Sequence, residues 1–166
     1  VYKKEDFGNA LTSVQNEAQK AFGDSRVILD CFVKQPRHIE FQVLGDQHGN
    51  VLHLFERDCS VQRRHQKIVE ESPSLFIDNK IRKKMADAAL TAAKTVEYTG
   101  AGTVEFIMGE ENRFYFMEMN TRLQVEHPVT EVITGLDLVE LQLRIAAVEK
   151  LHLTQSKIRQ SGHAIE

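Results

Sequence analysis

A chain of 166 residues, 42% of them hydrophobic, is long enough for one domain, or one and a piece, around a real core. Its 21 basic and 24 acidic side chains leave a net charge of −3, which argues against a nucleic acid or a membrane surface as principal partner. Cys31 and Cys59 lie too far apart for metal-ligand spacing and are too few for a disulfide framework, so a reducing, intracellular compartment is expected.

No apolar run has the length of a membrane span, and the N-terminus lacks the apolar core of a signal peptide. The chain begins without Met and stops mid-pattern at Ala164-Ile165-Glu166, so it is expected to be a piece of something longer.

Phe7, Leu11, Val14, Ala18 and Phe22 fall at helical spacing and predict a helix over 5–22, stopped by Gly23-Asp24. Residues 26–33 read as a strand ending before Pro36, and Lys34-Gln35-Pro36 is the one candidate boundary. Clean alternation over 38–44 and 51–55, across a Gly45-to-Asn50 loop, predicts a hairpin. Residues 60–69 are polar but rich in long side chains and read as irregular strand. Ile81, Met85, Ala88, Ala89, Ala92 and Val96 predict a second helix, entered near Asp78 and ended by Gly100.

Residues 103–108 and 114–119 predict a second hairpin. If Met108 pairs with Tyr115, Glu105 falls opposite Glu118. Directly opposed carboxylates destabilise a sheet unless a divalent cation lies between them, although two edge carboxylates in solvent would look the same in sequence. Two helices follow, over 128–134 and 137–148, and then a last strand over 162–166. Helices against an antiparallel sheet make the fold α+β. Gly100-Ala101-Gly102 precedes a strand and opens no helix, so it is no dinucleotide fingerprint.

Two stretches carry chemistry. Glu118, Asn120, Arg122, Gln124 and Glu126 recur at every second position, which in an extended segment puts all five on one face, with Met119, Leu123 and Val125 turned into a core. Such a face offers oxygens for a hard cation, a guanidinium fork for an oxyanion and a carboxylate base. Gln62, Arg63, Arg64, His65 and Lys67 concentrate donors within six residues, as an anion site or as a solvated basic stretch.

Glu118-Met-Asn-Thr-Arg-Leu-Gln-Val-Glu-His-Pro-Val-Thr-Glu131 resembles the signature of biotin carboxylases, members of the ATP-grasp superfamily, and so does Glu56-Arg-Asp-Cys-Ser-Val-Gln-Arg-Arg-His-Gln-Lys67. The resemblance runs from about Phe22 to Glu166. Its wording is closest to the α subunits of methylcrotonyl-CoA carboxylases, and the propionyl- and acetyl-CoA enzymes share most of it.

The resemblance implies an ATP- and bicarbonate-dependent ligase that carboxylates biotin through carboxyphosphate. Residues 1–32 would be the tail of a mobile ATP-grasp lid, and 33–166 the first part of the C-terminal domain. It implies Glu105, Glu118 and Asn120 as ligands for magnesium or manganese, and Arg122, Gln124, the Val125 backbone and Lys67 around bicarbonate. Glu126 would take the bicarbonate proton, with Arg122 and Lys67 as its catalytic partners. Asp30, Val33, His38, Gln62, His65, Glu105 and Glu118 would meet ATP. The usual hinge Glu-Lys is replaced by Asp30-Cys31. The family's Gly-rich phosphate loop would lie before Val1, so the isolated piece is expected to be inactive. Implied partners are biotin on a carboxyl-carrier domain and a carboxyltransferase subunit. The implied compartment is the cytoplasm of a bacterium or the mitochondrial matrix of a eukaryote. Another ATP-grasp ligase, or a non-catalytic assembly module that keeps the fold, are the competing readings.

Overall fold

Alternation along residues 37–45 sets the architecture. The computed structural model describes the backbone of residues 1–166 and every side chain except that of Glu111. Strand β1 spans Arg37–Gly45. Its Ile39, Phe41 and Val43 enter one core, while Leu44, of opposite parity, enters another. Both faces of the strand are therefore covered, and His38, Glu40 and Gln42 share the second face with Leu44.

The other strands are β2 (Val51–Arg63), β3 (Gln66–Ser72), β4 (Gly100–Met108), β5 (Phe114–Asn120) and β6 (Ala164–Ile165). They form one sheet in the order β5-β4-β1-β2-β3-β6 with every pairing antiparallel. Helix α2, Asn79–Thr95, lays Ile81, Met85, Ala89 and Ala93 on the first face. Its Asp78 N-cap accepts from the Ile81 N–H at 2.8 Å. Helices α3 (His127–Thr134) and α4 (Leu138–Ala146) follow β5, and α4 packs Leu138 and Ile145 with Leu44, Leu52, Leu54 and Ala101. Asp137 caps α4 through the Glu140 N–H at 2.8 Å. Burying a side chain such as Phe41 or Leu54 stabilises by roughly 1.5–3 kcal/mol. The α+β expectation, an antiparallel sheet with packed helices, holds.

Residues Val1–Phe32 and Val33–Glu166 form two compact units. In the first, α1 covers Phe7–Phe22 and ends at Gly23, whose left-handed φ of 70° lets its N–H reach Gln19 O. The strand expected over 26–33 is not there. Its apolar residues come in two consecutive runs, Val27-Ile28-Leu29 and Cys31-Phe32-Val33, but no strand forms there, and Ile28 and Leu29 are exposed.

Three further expectations are corrected. The polar run over 60–69 is strand with irregular pairing around Val61, as expected, but it is two strands, the end of β2 and most of β3, joined by Arg64 and His65 at φ 51° and 66°, a two-residue turn that usually announces itself with Asn-Gly. Helix α2 stops at Thr95, with Glu97 at φ 49°, five residues before Gly100, which opens β4 instead. Met108 pairs with Phe114, not Tyr115, so the turn register is one residue off the expected one. One extra residue in β5, Met117, restores it, and Glu105 does face Glu118.

Asp46 locks the first hairpin. It is 3% exposed and accepts from the N–H groups of His48, Asn50 and Leu151 and from the Asn50 amide. These donors outweigh the burial that opposes its charge and hold its pKa at about 2. A carboxylate depressed on folding stabilises above its unfolded pKa near 3.9, and that contribution is lost as pH falls toward about 2. Asp46→Ala is expected to cost about 2–3 kcal/mol at pH 7 and progressively less between pH 4 and about 2, read from urea unfolding across pH.

Candidate active site

The sheet register lines up charge across four strands. Arg57 on β2 lies opposite Glu40 on β1, Glu40 opposite Glu105 on β4, and Glu105 opposite Glu118 on β5. Three carboxylates in one row would repel. The cation that offsets them comes from β3. Lys67 Nζ donates to Glu40 Oε2 at 2.5 Å, to Glu105 Oε1 at 3.0 Å and to Glu126 Oε1 at 2.6 Å. All three of its N–H donors are thus engaged. Although burial works against the ammonium, the surrounding carboxylates raise its pKa. The Glu40 carboxyl, opposed by its own burial, is held well below the usual range by Arg57, His38 and Lys67.

His38 closes the row on β1. Its Nε2 lies 2.8 Å from Glu105 Oε2 and 3.6 Å from Glu40 Oε2, and its Nδ1 lies 3.1 Å from Gln62 Nε2. Burial disfavours its charge, but Glu105 and Glu40 together push its pKa up to about 9. Gln62 also donates to Cys59 O at 2.8 Å. The Cys59 thiol behind it is buried and pushed up in pKa by that burial, so it is an inert core group.

The acidic row is not one strand. β5 ends at Asn120, and residues 121–126 form a loop that α3 follows. Met119 and Leu123 do pack against the two cores, but Val125, expected to point inward, is 82% exposed. Within the turn that starts α3, the chain no longer alternates. Gln124 and Glu126 are therefore buried, while Arg122 is exposed and donates only to Leu123 O at 3.5 Å among the described residues.

A cleft of about 830 Å³ gathers nearly all of the residues singled out from sequence. Gln62, His65 and Lys67 line one side. Glu118, Asn120 and Arg122 line the other, with His38, Glu105, Gln124, Val125 and Glu126 between them. Arg63 and Arg64 are exposed and lie outside it, so only part of the donor run lines the cleft. Val33 packs over Gly109, where a Cβ would come within 2.8 Å of Val33 Cγ1, and it does not line this cleft. Asp30 is an exposed residue of the first unit.

The donor set at the β4–β5 edge suits a hard divalent cation. Asn120 Nδ2 bridges the facing carboxylates, at 2.8 Å from Glu105 Oε1 and 3.4 Å from Glu118 Oε1. Two carboxylates and an amide that can turn its oxygen toward them supply the oxygen ligands magnesium takes. His38, Glu40 and Glu105 also cluster, as do Glu40, Cys59 and Glu126. There Lys67 and Arg57 already neutralise the carboxylates, so side-chain cations take the place an ion would fill.

The sequence reading passed over Glu40, Gln42 and Arg57. Arg57 is fully buried and donates to Glu40 and Gln42, each at 2.7 Å, to Thr130 at 3.0 Å, to Thr103 at 3.1 Å and to Gln124 at 3.4 Å. The available signal was Glu56-Arg57-Asp58, three successive charges inside a strand, since alternation must then turn charge into the protein.

Residues 1–154 match the family model of the carbamoyl-phosphate synthase L chain, ATP binding domain. The chain belongs to that family. It is 59% identical to the mitochondrial methylcrotonoyl-CoA carboxylase subunit alpha of Rattus norvegicus, over all of this chain and 23% of that protein. It is 54% identical to the biotin carboxylase of Nostoc, over all of this chain and 37% of that protein. The biotin carboxylase domain of a thermophilic 2-oxoglutarate carboxylase, solved bound to bicarbonate, superposes with a TM-score of 0.94 at 51% identity, covering 98% of this chain and 37% of that one. The expected resemblance and fold are borne out, and the chain spans between 23% and 37% of the length of these relatives. In this ATP-binding domain no helix among the described residues is long and apolar enough to cross a membrane.

Proposed function

We propose that the chain is part of the biotin carboxylase component of an acyl-CoA carboxylase, of the methylcrotonyl-CoA type, and that its cleft forms carboxyphosphate from ATP and bicarbonate. The observation that carries this is one loop placing an exposed guanidinium, Arg122, which donates only to Leu123 O among the described residues, beside two buried polar side chains, Gln124 and Glu126, next to the Lys67 ammonium. Relatives 54% and 59% identical across the whole chain support the class.

Bicarbonate is a weak nucleophile and must be held and deprotonated as it attacks. Arg122, Gln124 and the Val125 backbone hold it, and Lys67 serves through its charge, since its donors are engaged by carboxylates. Glu126 takes the proton while the bicarbonate oxygen bonds to the γ-phosphorus and the bond to the ADP oxygen breaks. The carboxyphosphate then releases phosphate and carbon dioxide, and the latter meets the ureido nitrogen of biotin. His38, Gln62 and His65 face the nucleotide, and residues 1–32 are the lid's tail. Residues 33–166 are the first part of the C-terminal domain. Glu105, Glu118 and Asn120 hold magnesium or manganese, which neutralises phosphate charge when bound. Biotin arrives on a carboxyl-carrier domain, and a carboxyltransferase subunit consumes its product. The setting is the cytoplasm in a bacterium or the mitochondrial matrix in a eukaryote.

ADP release by the full-length protein tests this. Release should require bicarbonate, and Arg122→Ala should raise the bicarbonate KM at least about tenfold while the ATP KM changes little. Bicarbonate-independent release at the full rate would count against the reading. Glu118→Gln should raise the magnesium concentration for half-maximal ATP cleavage several-fold, because one anionic ligand becomes neutral. An unchanged magnesium titration would remove Glu118 from the metal site.

A further inference from the structure

Arg57 has no route to a substrate, being 0% exposed beneath the sheet's polar row. Its five N–H donors nevertheless meet five acceptors drawn from β1, β4, α3 and the 121–126 loop. Four of these anchors sit on regular elements. The fifth, Gln124, sits on the loop that carries Arg122 and Glu126.

Resting on the function proposed above, we infer that Arg57 is a positioning residue for bicarbonate: by engaging the Gln124 carboxamide oxygen it turns the Gln124 NH2 toward the anion. A guanidinium has no acceptor, so only the amide oxygen can face it. The other side of the same amide meets Glu105 Oε1, at 3.1 Å from Nε2, and a carboxylate accepts only donors. Both neighbours demand one orientation, and it leaves the second N–H of Nε2 for the cleft. Were the amide turned over, its oxygen would face both the Glu105 carboxylate and an incoming anion. A lysine at position 57 would keep the charge but not the planar fork that spans these acceptors.

The test uses the full-length enzyme with Arg57→Lys, Gln124→Ala, their double variant and Thr103→Val. Arg57→Lys should raise the bicarbonate KM roughly tenfold, the scale of one lost charge-assisted hydrogen bond, and leave the ATP KM within about twofold. In the Gln124→Ala background it should add nothing to the bicarbonate KM. Multiplying effects, or an ATP KM that rises as much, would overturn the inference while leaving the proposed function in place. An unchanged bicarbonate KM in Gln124→Ala would instead remove Gln124 from the anion site, and this inference with it. Thr103→Val deprives the same guanidinium of a different acceptor and reads the question even where Arg57→Lys does not fold. It should lower the thermal midpoint without moving the bicarbonate KM. A KM that moves with stability would make Arg57 a structural group and overturn the assignment.

Discussion

Glu126→Gln is expected to lower bicarbonate-dependent ADP release by about 10²- to 10⁴-fold, the range a positioned general base contributes. The substitution is nearly isosteric. The amide oxygen can still accept from Lys67, which lies 2.6 Å from Glu126 Oε1, so the loop should keep its conformation. Only the ability to take a proton is lost. Steady-state ADP release at saturating bicarbonate, with the ATP KM as control, checks it. A fall of less than about tenfold would assign the base to another group, and Glu40 and Glu105, which share Lys67 with it, would be the next to examine.

Lys67→Met should have the largest effect on stability. Removing one partner from a buried ion cluster leaves uncompensated charge, and here three carboxylates lose their common cation. The expected cost is about 2–4 kcal/mol at pH 7, below the usual upper range because Lys67 is partly open to the cleft. The variant's deficit has a definite pH dependence. Without the ammonium, Glu40 and Glu105 lose one of the groups that hold their carboxyls below the usual range, so their folded pKa values move up toward the unfolded value. The stability such depressed groups contribute is present above the unfolded pKa near 4.3 and lost as pH falls below it, so the deficit should narrow as pH falls from about 4.5 toward about 3. Urea midpoints of both proteins across that range provide the measurement. A deficit that widened on acidification would show that the three carboxylates do not depend on Lys67.

What could be read in the chain divides along a physical line. The hairpins and helices α2 to α4 follow from periodicity and caps, because Ile39, Phe41 and Val43, or Ile81, Met85 and Ala89, meet a single apolar layer. Most of the cleft was legible for the same reason, since its residues sit in two short runs of unusual composition. Glu40, Gln42 and Arg57 were not, because a polar face of a strand looks solvated until something covers it. Their burial is supplied by the 121–126 loop and α3, which are distant in sequence. Val125 shows the converse error. Period-two reasoning was carried past Asn120, where the ladder ends and alternation loses its meaning. The missing strand over 26–33 has a different cause, since a run of apolar residues such as Val27-Ile28-Leu29 does not by itself supply a hydrogen-bonding partner.

The extra residue at Met117 has a further effect on how β5 is organised. Phe114 and Phe116 pair with Met108 and Phe106 and stack edge-on near the Phe106 ring, on the apolar side of β4. Glu118 and Asn120 pair with Glu105 and Thr103, on its polar side. In an unbroken strand, positions 114, 116, 118 and 120 would share one face. The bulge reverses the phase midway, so that one short segment turns its aromatic half to the Phe106 side of β4, where Phe114 packs against the core, and its acidic half to the cleft. The two halves are thereby insulated from each other. A residue gained or lost between Gly109 and Arg113 would shift the phenylalanines against β4, and the carboxylates would stay opposed as long as the strand takes up the change before Glu118. The loop can therefore vary without disturbing the acidic half of the strand.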